Sequence, residues 1–380
     1  MKAMIFTVMP MFVCLFWSTM LIIDLASNRS KPRLHLLLFM LTTTLLYFGH
    51  CAFFNHSKAI MPLTDTFYCT ANLAVYPLYY LYICSLTIRS QLYKERWVMV
   101  VPAVIGGVAV GTVYLQMTAE ETQLFIDHYL YEGEHEGLYG MASIQSYIHD
   151  ACKVVFAILI IPVFIHGRTH IREYNQLVCN VYADTEKKTL TSLHYMLIAF
   201  IITSIASFVA NLIGRHQFDD SLWLLAIPST LFSILLFSIG YIGYRQKFSI
   251  EDIEKDEQQA DDAMNELPAI KEIRARIEQL MTEEQLFRQP NLKIIDLVQR
   301  LGTNRNYIYH AINGEMGIPF SEYINRMRID YATMLMNQKP GTPLNEVAEQ
   351  SGFTSSTTFY RNFKLYRGIG PKEYLNNLKK

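Results

Sequence analysis

Seven long apolar runs occupy the first 245 residues of this 380-residue chain and constrain its fold more than any other feature. A helix needs about 20 mostly apolar residues to cross a hydrocarbon core of about 30 Å. Six of the seven runs contain no Asp, Glu, Lys or Arg. The pattern predicts an all-α protein in which residues 1–245 form a seven-helix transmembrane bundle in contact with membrane lipid. The runs lie near 3–23, 34–54, 66–88, 97–117, 146–166, 192–213 and 221–244.

The first apolar run has an alternative interpretation as a cleavable signal peptide. Its length and the lack of a clear small-x-small cleavage site after it favour retention as a membrane helix.

The distribution of Lys and Arg predicts the orientation of the bundle, because these residues accumulate in cytoplasmic loops. Twelve follow the first, third, fifth and seventh runs, against three in the opposite segments. We therefore expect a multi-pass protein of the bacterial inner membrane, with its N-terminus outside and its C-terminal domain in the cytoplasm. The twelve are Arg29, Lys31, Arg33, Arg89, Lys94, Arg96, Arg168, Arg172, Lys187, Lys188, Arg245 and Lys247; the three are Lys2, Lys58 and Arg215.

Polar side chains within the runs are candidate positions for a sensor, because ionisable groups at membrane depth are costly and often functional. One interpretation is that they line a small-molecule cavity. The alternative is that those in the fifth run lie at the membrane interface and the others make interhelical hydrogen bonds. The candidates are His50, Asn72, His149, Asp150, Lys153 and His194.

The chain carries no pattern that predicts catalysis. It contains no H-E-x-x-H, no G-x-S-x-G and no Gly-rich phosphate loop. Its six cysteines have no metal-type spacing, and none lies in the C-terminal domain. We therefore expect no enzyme activity, no metal site and no cofactor.

Charge is strongly segregated along the chain, although the net charge is only −1. Residues 249–266 hold eight Asp and Glu against one Lys, and residues 267–380 hold 16 Lys and Arg against 11 Asp and Glu. The sequence predicts an acidic linker over 246–268, as a solvated helix or a flexible tether, and a basic domain over 269–380. The acidic stretch should repel DNA phosphates.

Two helix-turn-helix units are predicted in the basic domain from the helical spacing of its apolar residues. In each unit a short helix ends at a glycine, Gly302 or Gly352, and a second helix follows. The predicted inward residues are Ile294, Leu297, Val298, Leu301, Tyr307, Ile308, Ala311 and Ile312 in the first unit, and Leu344, Val347, Ala348, Phe359 and Phe363 in the second.

Residues 290–376 resemble the AraC/XylS family of transcription activators. The resemblance rests on LGTNRNYIYHAINGEMGIPFSEYINRMRIDYATMLM followed by PLNEVAEQSGFTSSTTFYRNFKLYRGIGPKEY. It implies sequence-specific binding of double-stranded DNA, with two recognition helices in successive major grooves about 34 Å apart. It also implies contact with RNA polymerase and a homodimeric assembly.

The resemblance also assigns roles to outward residues, and one departs from the family pattern. His310 stands where the family often has Arg, so its base contact would be shorter and sensitive to pH. The implied base contacts are Asn306, Tyr309, His310, Ser356, Thr357, Tyr360 and Arg361; the implied phosphate contacts are Arg305, Lys364 and Arg367.

These features predict a membrane-embedded, one-component transcription regulator, whose bundle senses an unknown small molecule or membrane signal. One alternative is a constitutive DNA-binding regulator that the bundle merely anchors. Another is a transporter-like membrane protein with a regulatory DNA-binding tail.

Overall fold

The computed structural model describes residues 2–27, 30–89, 94–186, 188–213, 222–261, 270–315 and 317–378, and these are helical without any strand. An isolated bridge joins Tyr182 and Lys293. The all-α prediction is confirmed. The chain divides into two compact units, and each is described by itself. The first comprises Met1–Arg172 and Leu190–Ser249, and the second comprises Glu173–Thr189 and Ile250–Lys380.

The first unit is a bundle of apolar helices, and each of the seven predicted runs is helical. Its longest helix, α6, has 42 residues, or about 63 Å at about 1.5 Å per residue. The division between the units falls within α6, after Arg172. The helices are α1 (Lys2–Ser27), α2 (Lys31–Phe54), α3 (Met61–Thr87), α4 (Val101–Gln116), α5 (Ala119–Leu124), α6 (Gly140–Val181), α7 (Thr191–Ile213) and α8 (Leu222–Arg245).

Five of these helices are long and apolar enough to cross a membrane by length and composition, namely α1, α2, α6, and the helical segments Arg96–Gln116 and Leu225–Asp256. Helix α7 counts as a shorter apolar helix within its described residues. Helix α3 packs between α2 and α4, and 20 of its 27 residues are buried. Its five tyrosines are therefore packed against protein. They make α3 less hydropathic than the five helices that meet the length and composition criteria. The count of seven spans stays a prediction.

Small residues let the helices of the bundle approach closely, as is typical of helix packing in membranes. Trp17 of α1 is buried and lies against Gly240 of α8, where an added Cβ would fall 2.4 Å from the indole ring. Gly107 of α4 lies in the same way against Thr70 of α3. Aromatic side chains on α8 complete the Trp17 contact, with Phe237 at 5.4 Å between ring centroids.

The second unit contains the two predicted helix-turn-helix pairs and a long helix between them. Its helices are α9 (Ile250–Asp261), α10 (Ile270–Thr282), α11 (Ile294–Leu301), α12 (Arg305–Tyr309), α13 (Phe320–Gln338), α14 (Leu344–Gln350), α15 (Ser356–Arg367) and α16 (Pro371–Leu378). A π-helical turn, His310–Glu315, extends α12.

The acidic linker differs from a solvated tether over its first half. Helix α9 buries Ile250 and Ile253, and Asp256 forms an ion pair with Lys293 at 2.9 Å. Two isoleucines three residues apart give the helix one apolar face, which packs against α11. Residues 262–268 of the predicted linker lie outside the described residues.

Candidate nucleic-acid interface

The first helix-turn-helix is set by a glycine between its two helices. Gly302 ends α11 with φ +58°, a left-handed conformation that glycine adopts at little cost. Ile308, Ala311 and Ile312 then point inward and are fully buried, as predicted. On the other side, His310 is exposed, whereas Arg305 and Tyr309 are half-buried. The side chain of Asn306 lies outside the described residues.

The second helix-turn-helix has a well-defined turn and a capped recognition helix. Gly352 has φ +87°, and a Cβ there would fall 2.5 Å from the carbonyl oxygen of Arg288, so the turn requires glycine. Ser355 caps α15 by accepting a hydrogen bond from the backbone N–H of Thr358 at 3.1 Å. Phe359 and Phe363 are fully buried in the core with Phe353, as the apolar spacing predicts.

The outward side of α15 carries the second set of predicted DNA-contacting residues. Ser356, Thr357, Arg361 and Lys364 are exposed, and Tyr360 is half-buried because its ring packs on the core. The Ser356 hydroxyl donates to Asn345 Oδ1 on α14 at 2.9 Å. Within the described part of the chain, Arg361 and Lys364 form no ion pair. Two cations thus remain available on this face.

Arg367 differs from these two cations, because its guanidinium already has partners. It donates to Asp330 Oδ1 at 2.6 Å and to Thr333 Oγ1 at 3.0 Å, and so ties the end of α15 to α13. The predicted phosphate contact of Arg367 requires it to share or leave Asp330.

A segment from the middle of the chain is built into this DNA-binding unit. Residues 173–189 comprise the end of α6 and most of the connection to α7, and Asp184 of this segment binds Arg328 of α13 at 3.1 Å. The Arg328 side chain is 0% exposed and also donates to the carbonyl oxygens of Phe287 and Gln289. Asp184 in turn accepts from the backbone N–H of Asn291 at 2.9 Å. The buried charges are therefore paired and hydrogen-bonded.

The Asp184 carboxylate offsets part of the cost of burying the Arg328 charge. Burial lowers the pKa of Arg328, and the Asp184 carboxylate opposes that shift. An arginine side chain is a strong base, so Arg328 stays a cation near neutral pH.

Backbone contacts extend the attachment of the segment along its length. Ala183 donates its N–H to the carbonyl oxygen of Leu292 at 3.0 Å and accepts from Asn325 Nδ2 at 3.3 Å. The Tyr182 hydroxyl donates to Asp256 of α9. Burial raises the pKa of Tyr182, as does the adjacent carboxylate, so the phenol keeps the proton that it donates.

The segment also reaches the start of the second recognition helix. The exposed carboxylate of Glu186 accepts hydrogen bonds from Ser355 Oγ at 3.1 Å and from Thr358 Oγ1. A helix N-terminus favours negative charge, because its free N–H groups carry the positive end of the helix dipole. An anion of this same chain thus occupies the N-terminal end of α15.

The six predicted sensor positions fall into three places in the bundle. His50 and Asn72 line one cavity. His149 is buried with its Nε2 2.7 Å from Asp65, while Asp150 accepts from Lys153 and from the Tyr129 hydroxyl at 2.7 Å. His194 lies near the start of α7, away from both groups along the chain.

Asp65, the partner of His149, is not among the predicted sensor positions, because the predicted apolar run begins at residue 66. Asp65 also accepts from Tyr114 of α4 at 2.8 Å. With Cys69 and His149, Asp65 forms a group whose potential metal-ligand atoms lie within 4.8 Å of one another. The short His149–Asp65 contact accounts for the cluster as a hydrogen-bonded pair.

Comparison with known proteins concerns mainly the second unit. The family described as a helix-turn-helix domain matches residues 297–377. The melibiose operon regulatory protein of Escherichia coli (strain K12) is 31% identical over 83 residues, which are 22% of this chain and 27% of the relative. The C-terminal domain is an AraC-type helix-turn-helix domain.

Other relatives of the AraC-type domain are also named as regulators. YtdP, an uncharacterized HTH-type transcriptional regulator of Bacillus subtilis (strain 168), is 31% identical over 86 residues, covering 23% of this chain and 11% of the relative. An uncharacterized HTH-type transcriptional regulator of Staphylococcus aureus (strain COL) is 20% identical over 202 residues, covering 53% and 23%. The chain thus spans under a third of the length of these relatives. No solved structure matches it.

Replacing Arg328 with Met should destabilise the AraC-type unit by about 3–5 kcal/mol, because Asp184 would keep a buried charge without its partner. Arg326→Met is the matched control. Arg326 lies two residues away on α13, is exposed and pairs with Glu322 on the same helix, so its loss should cost under about 1 kcal/mol. Urea unfolding of the full-length protein, followed by pulse proteolysis, measures both. Equal costs for the two variants would contradict the structural role of the Asp184–Arg328 pair.

Proposed function

We propose that the protein is a membrane-embedded transcription regulator. Its bundle crosses the bacterial inner membrane seven times, with the N-terminus outside, and senses a signal. Its AraC-type domain lies in the cytoplasm and binds promoter DNA as a homodimer that contacts RNA polymerase. The apolar helices, the charge bias of their loops and the relatives of the C-terminal domain support this proposal.

The proposal that the bundle senses a signal rests on the attachment of residues 173–189 to the AraC-type unit. A domain that is merely anchored needs one connection to the bundle, here the chain after α8. This chain has a second connection, because the segment between α6 and α7 folds into the DNA-binding unit through Asp184 and Ala183. A movement of α6 or α7 would therefore act directly on that unit.

Base recognition is assigned to the outward residues of the two recognition helices. Asn306, Tyr309 and His310 would contact bases from the first helix, and Ser356, Thr357, Tyr360 and Arg361 from the second. Arg is suited to guanine and Asn to adenine, because each can form two hydrogen bonds to that base. Arg305, Lys364 and Arg367 would contact phosphates.

Arg361→Ala should relax specificity at one base pair of the operator by about 1–3 kcal/mol. Lys364→Ala, one helical turn further on, should weaken all sequences about equally and lower the slope of log affinity against log salt by about 1. The operator is first identified by genome-wide occupancy of the full-length protein, and affinities are then measured on single-base variants. Uniform weakening by Arg361→Ala would contradict its assignment to a base.

Glu186 offers a route by which the bundle alters DNA affinity. Its carboxylate lies at the N-terminal end of α15, next to Ser356 and Thr357, which are assigned to bases. DNA phosphates approaching this end of the helix would be repelled by the carboxylate and would compete with it for the same donors. We assign the state with Glu186 in place to low affinity, and the signal releases it.

Glu186→Gln should raise the affinity of the full-length protein for its operator by about 5-fold or more, within the usual range of coupling between sites. Glu283→Gln removes the same charge just after the end of α10, where the Glu283 carboxylate accepts a hydrogen bond from Gln279, and should leave the affinity within about 2-fold. Binding is measured by fluorescence anisotropy on protein in lipid nanodiscs. An equal rise in both variants would mean that only overall charge matters, and an unchanged Glu186→Gln affinity would rule out the brake.

A further inference from the structure

A cavity of about 290 Å³ lies inside the first unit, between six of its helices. It is formed by α1, α2, α3, α6, α7 and α8, so it contacts nearly every long helix of the bundle. Its lining includes Pro10, Tyr47, His50, Asn72, Ala206 and Ser229.

The lining residues share one end of the bundle. They come from the first part of α1 and α8 and from the last part of α2 and α7. Because successive helices run in opposite directions, these parts lie at the same end. In the predicted topology this is the outer end, away from the cytoplasm.

The cavity suits an uncharged occupant. Its described lining includes no Asp, Glu, Lys or Arg. Most of its hydroxyl groups are already used, since Thr43 and Thr203 donate to backbone carbonyls of their own helices at 2.7 and 2.9 Å. A charged group would lose its hydration here without gaining a counter-charge.

Two polar side chains of the lining keep hydrogen-bonding capacity. The Asn72 amide and the Tyr47 hydroxyl make no hydrogen bond to the described residues. An amide offers both donors and an acceptor, and a phenol offers one of each. Half-buried groups of this kind gain a partner when a ligand with one hydroxyl or carbonyl enters.

Aromatic rings make up much of the wall. The His50 ring stacks on Tyr47 at 5.5 Å between centroids and lies parallel to Phe54 at 6.2 Å. Across the cavity lining, Tyr76 stacks on Phe200 at 4.7 Å. Flat, rigid walls of this kind favour planar apolar rings over bulky polar groups.

Proline removes a backbone hydrogen-bond donor from two of the surrounding helices at the cavity. Pro10 in α1 cannot donate to the carbonyl of Phe6, four residues earlier, and that carbonyl instead accepts from Ser229 of α8. Pro228 precedes Ser229 and also lines the cavity. A side chain thus replaces a lost helical hydrogen bond, and an occupant that moves α8 would disturb this contact directly.

From these features we propose that the cavity is the sensor site and binds a neutral, mainly apolar molecule with one hydrogen-bonding group. This rests on the proposed function for its regulatory meaning, but not for binding itself. An apolar cavity of about 150 Å³ holds one benzene, so about 290 Å³ suits a molecule of roughly two rings. The occupant comes either from solution or from the membrane, as part of a lipid chain.

The test uses full-length protein in lipid nanodiscs with 2-naphthol, naphthalene and 2-naphthoate as probes in calorimetry. We expect saturable binding of 2-naphthol and, more weakly, of naphthalene, and none of the 2-naphthoate anion. Asn72→Leu should weaken 2-naphthol about 2- to 10-fold and leave naphthalene unchanged, because one hydrogen bond is lost.

Ala206→Phe adds a ring at the lining of the cavity and should abolish binding of both neutral probes. Ile202→Phe adds the same ring one turn earlier on the same helix, at an exposed position that is not among the lining residues, and should keep binding. If native mass spectra instead show a co-purified lipid that only Ala206→Phe loses, the occupant is a lipid chain and the apolar site still stands. The proposal is overturned if Ala206→Phe loses neither the probes nor a lipid. It is also overturned if 2-naphthoate binds as tightly as 2-naphthol.

The same samples separate this site from the proposed function. If 2-naphthol binds in the cavity but operator affinity is unchanged with and without it and in Ala206→Phe, the site stands and its sensory role fails. If operator binding itself is absent while 2-naphthol binds, the regulator function fails and the cavity does not.

Discussion

The buried ion pair between Arg328 and Asp184 holds the DNA-binding unit together with a segment more than 140 residues earlier in the chain. Removing a guanidinium and a carboxylate from water is costly, and their attraction offsets the cost only when the remaining donors and acceptors are also satisfied. Here two backbone carbonyls and one backbone N–H complete the set. The pair therefore tolerates only one arrangement of the segment, α13 and the turn before α11.

The ion pair joins a segment from within the bundle sequence to the AraC-type unit. Residues before and after 173–189 belong to the bundle, up to Ser249, whereas 173–189 itself belongs to the AraC-type unit. Glu186 extends the attachment to the recognition helix α15, where it holds the donors of Ser355 and Thr358. Within the bundle, the cavity with Asn72 and Tyr47 offers a place for an uncharged ligand. In the proposed regulator, signal and response would thus have separate sites joined by the covalent chain.

Much of the architecture could be predicted from local patterns, whereas pairings between distant residues could not. Apolar runs and helical spacing predict the helices, and Gly302 and Gly352 mark the turns because their backbone conformations favour glycine. Arg328 carries no such signal, since an arginine on α13 looks like a solvated surface residue until Asp184 is placed beside it. The packing of the acidic linker could not be predicted for the same reason, because the partner of Asp256 is Lys293, 37 residues away.

The candidate sensor residues differ in how far their surroundings could be predicted from the sequence. His50 and Asn72 were predicted by their polarity within apolar runs, and they do share a cavity, but nothing in their spacing specifies its size or its other walls. His149 was predicted by the same criterion, but its partner Asp65 was not, because Asp65 lies just outside a predicted apolar run. The role of Pro10 depends on Ser229 from the opposite end of the bundle sequence, which no local pattern indicates.

Hydrogen–deuterium exchange on the full-length protein in nanodiscs shows whether residues 173–189 are part of the DNA-binding unit. We expect the amide of Ala183, which donates to Leu292, to exchange as slowly as those in α13. We also expect operator DNA to speed exchange around Glu186 and to slow exchange in α15. Rapid exchange across 173–189 without DNA, as in a free loop, would contradict this assignment.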